Sequence, residues 1–292
     1  MTNVVDQVLA QQKARAEQSS SNSTDLTKYF TIALPDGVSG GEKTIRILPP
    51  KAGQMLFTEV WFHSIKVGGK NRKLYDPGKN EKKPSPLTDV YNALKNSNDP
   101  SDKALSRQYY PRLFYVIKGI ERGKEHEGVK FWRFPHSNRG DGHFDTITPL
   151  FKRYGDISDA ETGRDMVLTL TKVKNPRTGG VYTTIQTILA DDPSPLSLDP
   201  ALKEQWLADS MTWESVYKKY EADYLYIVAQ GDIPMWSEAD SKWVAKPSID
   251  NDESSSTQDS VGDSLPPKTG EGAASTAENT TKVDINPDDL PF

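Results

Sequence analysis

The chain reads as a mainly β protein with inserted helices, an α+β fold built on a small barrel. Three observations carry that reading. Six short runs rich in β-branched and aromatic residues fall between residues 43 and 189. Helical patterns interrupt that series instead of alternating with it, which removes a doubly wound α/β sheet. Beyond about residue 248 the chain is polar and acidic, with too little apolar surface to offset the entropy of ordering it, so it reads as a disordered tail.

The elements follow in order. Residues 3–17, NVVDQVLAQQKARAE, put Val4, Val5, Val8 and Leu9 on one helical face. A helix this short needs a partner surface, either its own domain or a neighbouring protomer, so residues 1–24 read as an arm suited to self-association. A serine-rich stretch separates the arm from a core over 25–198. KTIRILPP alternates around Ile45 and Ile47 and stops at Pro49-Pro50. MLFTEVWFHSIKV ends at Gly68-Gly69, and RLFYVIKGIE, KFWRFP, MVLTLTKVK and VYTTIQTIL follow as strands. The last two flank NPRTGG, a hairpin loop by composition. SPLTDVYNALKNS and DTITPLFKRYG are the inserted helices, the first within an insertion over about 76–108. Residues 199–247 read as a helical extension on the core, with Asp199 capping PALKEQWLADS and Thr212 capping WESVYKKYEADYLYIV.

Composition bounds the function. The 292 residues contain no cysteine, which removes disulfides, thiolate nucleophiles and cysteine-ligated zinc. Nothing resembles a signal peptide or a stretch of about 20 apolar residues, so a cytoplasmic protein without a membrane contact is expected. The net charge of −5 conceals an asymmetry. Residues 43–182 carry 26 Lys and Arg against 15 Asp and Glu, whereas residues 248–292 carry 2 against 10. A basic centre with an acidic end suits a polyanion binder.

The basic residues are interleaved with aromatic ones. Lys66, Lys70, Arg72 and Lys73 precede Tyr75; Arg107, Tyr109, Tyr110, Arg112 and Phe114 cluster; Lys130, Trp132, Arg133 and Phe134 share one strand; Lys172, Lys174, Arg177 and Tyr182 surround the NPRTGG loop. Single-stranded nucleic acid offers unpaired bases that stack on rings and phosphates that seek Lys and Arg. Within KFWRFP, Trp132 and Phe134 lie on one side of the strand, Phe131 and Arg133 on the other; the pattern does not say which side is core. The glycine-rich GVSGGEKT has Glu42 where a phosphate loop needs glycine, and a strand follows where that loop needs a helix. No nucleophile constellation is evident, so a non-enzymatic protein with no cofactor and no metal is expected. The best metal candidates, His136, Asp141, His143 and Asp145, match no familiar ligand spacing.

In order and spacing, TIRILPPK, HSIKVGGKNRKLY, YYPRLFYVIKGIE and EGVKFWRFP followed by FDTITPLFKRYGDI resemble the single-stranded-DNA-binding protein family of T4-type bacteriophages. The resemblance covers roughly residues 40–190. It implies an OB-fold core with a basic, aromatic cleft, a helical arm for cooperative self-association and an acidic C-terminal tail. It also implies cleft roles for Arg46, Lys66, Tyr75, Tyr110, Arg112, Trp132 and Arg133. The family's well-known member carries a cysteine-containing zinc subdomain where this chain has PSPLTDVYNALKNSNDP, so here the insertion must hold by packing. The final residues Asp288, Asp289, Leu290, Pro291 and Phe292 resemble the tip of bacterial single-stranded-DNA-binding proteins. A terminal ring and carboxylate behind acidic residues suit a basic-rimmed apolar pocket on a replication or repair partner. The expected function is therefore sequence-nonspecific coating of single-stranded DNA in phage replication, recombination and repair. An annealing or recombination mediator is the alternative, and a metal-dependent nuclease a third.

Overall fold

The computed structural model describes residues 26–247 except 177 and 178. The self-association arm, the acidic tail with its tip, and Arg177 therefore lie outside the described residues.

A seven-stranded antiparallel sheet is formed by β1 (Gly40–Ile47), β2 (Thr58–Val67), β3 (Lys70–Tyr75), β4 (Pro111–Glu121), β5 (Val129–Pro135), β6 (Arg164–Lys174) and β7 (Val181–Pro193). The helices are α1 (Pro77–Glu81), α2 (Pro86–Asn96), α3 (Pro100–Ser106), α4 (His143–Tyr154), α5 (Pro200–Ala208), α6 (Trp213–Val216) and α7 (Ala222–Ala229), and a hairpin of β8 (Pro234–Ser237) and β9 (Lys242–Ala245) follows. All six expected strands are present. The KNRKLY segment, not among the six strands expected from sequence, forms β3, paired with β2 through Ser64–Lys73 and Phe62–Tyr75. Exposure along β3 falls from Lys70 and Asn71 to the buried Leu74 and Tyr75 without alternating, so no period-2 pattern marked it in the sequence.

Strand β4 organises the sheet. Phe114 pairs with Val60 of β2 and Pro135 of β5; Ile120 pairs with Arg46 of β1 and Val129 of β5. Each residue has one partner per edge, so β5 occupies one edge of β4 while β2 and β1 succeed one another along the other. The sheet thus branches into β2–β3 and β1–β6–β7 arms. It does not close into the expected barrel: the order runs from β3 at one end to β7 at the other, with no ladder joining β7 to β3 or β5.

The centre of the open sheet is buried on both faces by other elements. One face packs Ile45, Ile47, Tyr115, Ile117, Trp132 and Phe134 against Ile147 of α4. The opposite face, carrying Val60, Phe62, Tyr75, Phe114 and Phe131, is covered by Tyr29 and by Tyr217 of the C-terminal extension, with Met211, Trp213 and Val216 at its margin. The extension is tied down by Lys118–Asp209 (2.8 Å), by Lys219–Glu81 (3.1 Å), and by the Tyr29 hydroxyl donating to the Val216 carbonyl. Trp206 of α5 docks on Leu48, Ile120 and Val129.

Sequence pattern gave one helix over 213–228, but α6 stops after four residues. Tyr217 leaves the helix to enter the core, 2 % exposed, and the chain turns before α7. Tertiary burial of one ring overrides helix propensity here. The Asp199 cap is present, its carboxylate accepting from Ala201 and Leu202 N–H, whereas Thr212 makes no side-chain cap bond.

Candidate nucleic-acid interface

Strand β5 is the main correction to the sequence-derived interface. Lys130, Trp132, Arg133 and Phe134 are all 2 % exposed or less. Trp132 and Phe134 fill the α4 side, and Arg133 lies on the other side within 4.4 Å of the Tyr217 ring centroid and 5.1 Å of Phe62. Lys130 is held by ion pairs to Glu121 and Glu127. Alternation offered a core side and an exposed side, but both are core, because the extension covers the second.

Arg46 belongs to the interior as well. Fully buried, it donates to Asp165 Oδ1 (3.2 Å), Asp159 O (2.9 Å) and Ser194 O (2.7 Å). Arg122 clamps the same Asp165 carboxylate from the other side, at 2.8 and 3.0 Å. Phe114 is buried, and the buried Tyr75 donates to Glu81 (2.7 Å). Burial, then the Glu81 carboxylate, pushes the Tyr75 phenol above its ordinary range. These residues are parts of the core, not of a cleft surface.

The remaining candidates divide between the two ends of the sheet. At the β7 end, Lys174 and Tyr182 are exposed, and half-buried Lys172 donates to Pro35 O (2.7 Å). At the β3 end, Lys66 and Lys70 are exposed, Arg72 and Lys73 half-buried. Phe62 pairs with both Tyr75 and Arg112 while Ser64 pairs with Lys73, so Lys66, Lys73 and Arg112 share one face of the sheet.

Arg112 also opens onto a place where candidate rings and cations converge. A cavity of about 410 Å³ is lined by Tyr91, Lys95, Lys103, Ser106, Arg107, Tyr110 and Arg112. Tyr91 and Tyr110 meet edge to face, ring centroids 5.5 Å apart, and the Lys95 ammonium sits 5.5 Å from the Tyr91 centroid. Lys95, Lys103, Arg107 and Arg112 are exposed, as is Tyr110 at 41 %, and none of the four cations pairs with a described acid. Tyr109, the neighbouring candidate, instead turns inward toward Leu87 and Leu225.

Sequence reasoning named Arg107, Tyr110 and Arg112 but missed Tyr91, Lys95 and Lys103. Their signal was present: Tyr91 and Lys95 are one helical turn apart on the polar face of α2, and Lys103 and Arg107 are likewise spaced at α3. The helices carry them because Pro86 starts α2 and Asp99 caps α3, its carboxylate accepting from Ser101 N–H at 2.7 Å.

The insertion holds by packing, as expected, and also by a buried polar cluster. His63 of β2 and Asp76 after β3 are both fully buried. His63 Nδ1–H donates to Tyr109 O (2.7 Å), and Nε2 lies 3.4 Å from Asp76 Oδ2. The Thr88 hydroxyl donates to the same carboxylate at 3.0 Å. Burial pushes the Asp76 carboxyl up, but the adjacent His63, Ser85 and Thr88 side chains outweigh it and hold the pKa at about 2.

The four metal candidates are used locally. His136 packs edge-on to Tyr115, Asp141 accepts from Ser137, and Asp145 accepts from Gly142 N–H at the start of α4. His143 lies against Trp132 and Phe134, where burial lowers its pKa. Among the described residues no group of three or more His, Cys, Asp or Glu is placed to hold a metal ion, and no helix is long and apolar enough to cross a membrane.

Comparison of the chain with models of known protein families and with curated proteins finds no match to either.

Proposed function

We propose that this protein binds single-stranded DNA without sequence preference and coats it during replication, recombination and repair, acting as a binding protein and not as an enzyme. The observation that carries the reading is the groove between α2, α3 and the start of β4. Two tyrosine rings stand there among four exposed cations free of described carboxylate partners. Unlike the β5 residues, these groups are open to a ligand in the fold as it stands. A strand would stack a base on Tyr110, lay its phosphates along Lys95, Lys103, Arg107 and Arg112, and continue over the basic β2–β3 hairpin. Duplex DNA keeps its bases paired and stacked, so it could use the cations but not the rings.

The motif resemblance to T4-type phage proteins supports the same reading, and so does the charge excess of residues 43–182. On this reading the N-terminal arm serves cooperative self-association, and the C-terminal tip brings a replication or repair partner to the coated strand. A tip that binds weakly alone gains strength when many tails line one strand.

Groove variants test the proposal. Tyr110→Ala should weaken oligo-dT binding by ~1–3 kcal/mol, the usual worth of one stacked base. Arg112→Ala should weaken binding equally across sequences and reduce the salt slope by about one unit. Unaltered affinity in both variants would remove the groove from the interface.

A further inference from the structure

We infer that the His63–Asp76–Thr88 cluster is a positioning device that sets the width of the groove, an inference that rests on the groove being the nucleic-acid site. The groove has two walls from separate parts of the chain. One is α2, bearing Tyr91 and Lys95; the other is the segment from Arg107 to Arg112, bearing Tyr110. Among the groove residues, Tyr91 and Tyr110 meet edge to face across the walls, and beside them Tyr109 packs in the apolar cluster that includes Leu87 of α2. Such a ring pair adds stabilisation but leaves the relative orientation of the two walls loosely specified, since edge-to-face geometry tolerates a range of angles and distances.

The buried cluster joins the same walls from beneath. Thr88 lies one helical turn before Tyr91 on α2, and its hydroxyl is bound to Asp76 Oδ2 at 3.0 Å. Tyr109, adjacent to Tyr110, gives its carbonyl to His63 Nδ1–H at 2.7 Å. His63 and Asp76 meet each other at 3.4 Å. A run of buried polar contacts therefore leads from Thr88 through Asp76 and His63 to the Tyr109 backbone, with hydrogen bonds at its two ends and the His63–Asp76 contact at its centre. The sheet anchors the run at both central residues: His63 pairs with Leu74 and with Pro111, and Asp76 N–H donates to Trp61 O at 3.0 Å. Its Oδ1 also accepts from Gly78 N–H at 2.8 Å, fixing the carboxylate's orientation.

No member of this run touches the groove, so each acts through others. Buried polar networks are directional, and a fully satisfied one specifies a single arrangement where apolar packing alone tolerates several. The groove needs that precision, since a base can stack on Tyr110 while its phosphates reach Lys95 and Lys103 only if α2 is held at a fixed distance from β4.

Because the chain has no cysteine, the width can be read directly. Spin labels on Lys95→Cys and Arg107→Cys report the distance across the groove in the full chain without ligand. Thr88→Val removes the hydroxyl with little change of shape, and Asp76→Asn keeps the size but weakens both ends. We expect a narrow distance distribution in the labelled parent and a broadened one in each variant. Oligo-dT affinity of the unlabelled variants should fall roughly tenfold, as for the loss of one hydrogen bond's worth of positioning. That loss should vanish when Tyr110→Ala is already present, which general destabilisation would not produce. An unchanged distance distribution in Thr88→Val and Asp76→Asn overturns the positioning role. A broadened distribution with unchanged, tight oligo-dT binding keeps the staple but shows that the groove is not the site. Absence of oligo-dT binding by the parent rejects the functional reading itself and, with it, the inference.

Discussion

At the residue scale, chemistry that looks alike in sequence has been put to opposite uses. Trp132 and Tyr110 are both aromatic residues within two positions of an arginine, yet one is 1 % exposed and the other 41 %. Trp132→Ala should therefore act first on stability, by about 3–5 kcal/mol as for a large core residue, measured as a shifted urea midpoint. Tyr110→Ala should leave that midpoint within about 0.5 kcal/mol, as an exposed substitution does. Asp76 makes a pH-dependent prediction. Its folded pKa of about 2 lies below the ordinary value of 3.8, so its stabilisation is fully present above about pH 4 and lost as pH falls toward 2. A shift of that size corresponds to about 2 kcal/mol. The stability gap between the parent and Asp76→Asn should accordingly be largest at neutral pH and shrink between pH 4 and pH 2. A gap that stays constant over that range would show that Asp76 is not held as an anion by the fold.

At the scale of elements, strand periodicity revealed six of the seven sheet strands, and the Asp199 cap located the start of α5. What stayed illegible depended on residues distant in the chain. Nothing within KFWRFP signals that Tyr217, 84 positions beyond Arg133, will cover its second face. Similarly, His63 looks like any strand histidine until β3 and α2 bring Asp76 and Thr88 to it. The groove was half legible because its sequence-named members, Arg107, Tyr110 and Arg112, are contiguous, whereas Tyr91 and Lys95 arrive by folding of the insertion. The crossing of β4 by β1 and β5 shows a second long-range constraint, at Gly119. A Cβ there would stand 2.8 Å from Arg46 O and from the Ile45 side chain, and backbone cannot yield that space. Gly119→Ala should lower stability by roughly 1–3 kcal/mol through forced separation of β1 from β4. A neutral result would mean that these strands separate more readily than their pairing suggests.

At the scale of the whole molecule, charge is segregated along the chain, with the excess of cations in the sheet and insertion and the excess of acids toward the C-terminus. On the proposed reading, a tail carrying 10 acids against 2 bases would compete with phosphate for exposed lysines and arginines. Removing residues 248–292 should therefore raise oligo-dT affinity at low salt and matter progressively less as salt screens the charges; equal affinity at low salt would show that the tail does not compete. The central claim is that the α2–α3–β4 groove holds single-stranded DNA, and the most direct measurement is fluorescence anisotropy of labelled oligo-dT, with a duplex control, over a series of salt concentrations. The account predicts binding that weakens steeply with salt, is much weaker for duplex, and is reduced by ~1–3 kcal/mol in Tyr110→Ala. Salt-insensitive binding, equal preference for duplex, or full affinity in Tyr110→Ala would contradict it.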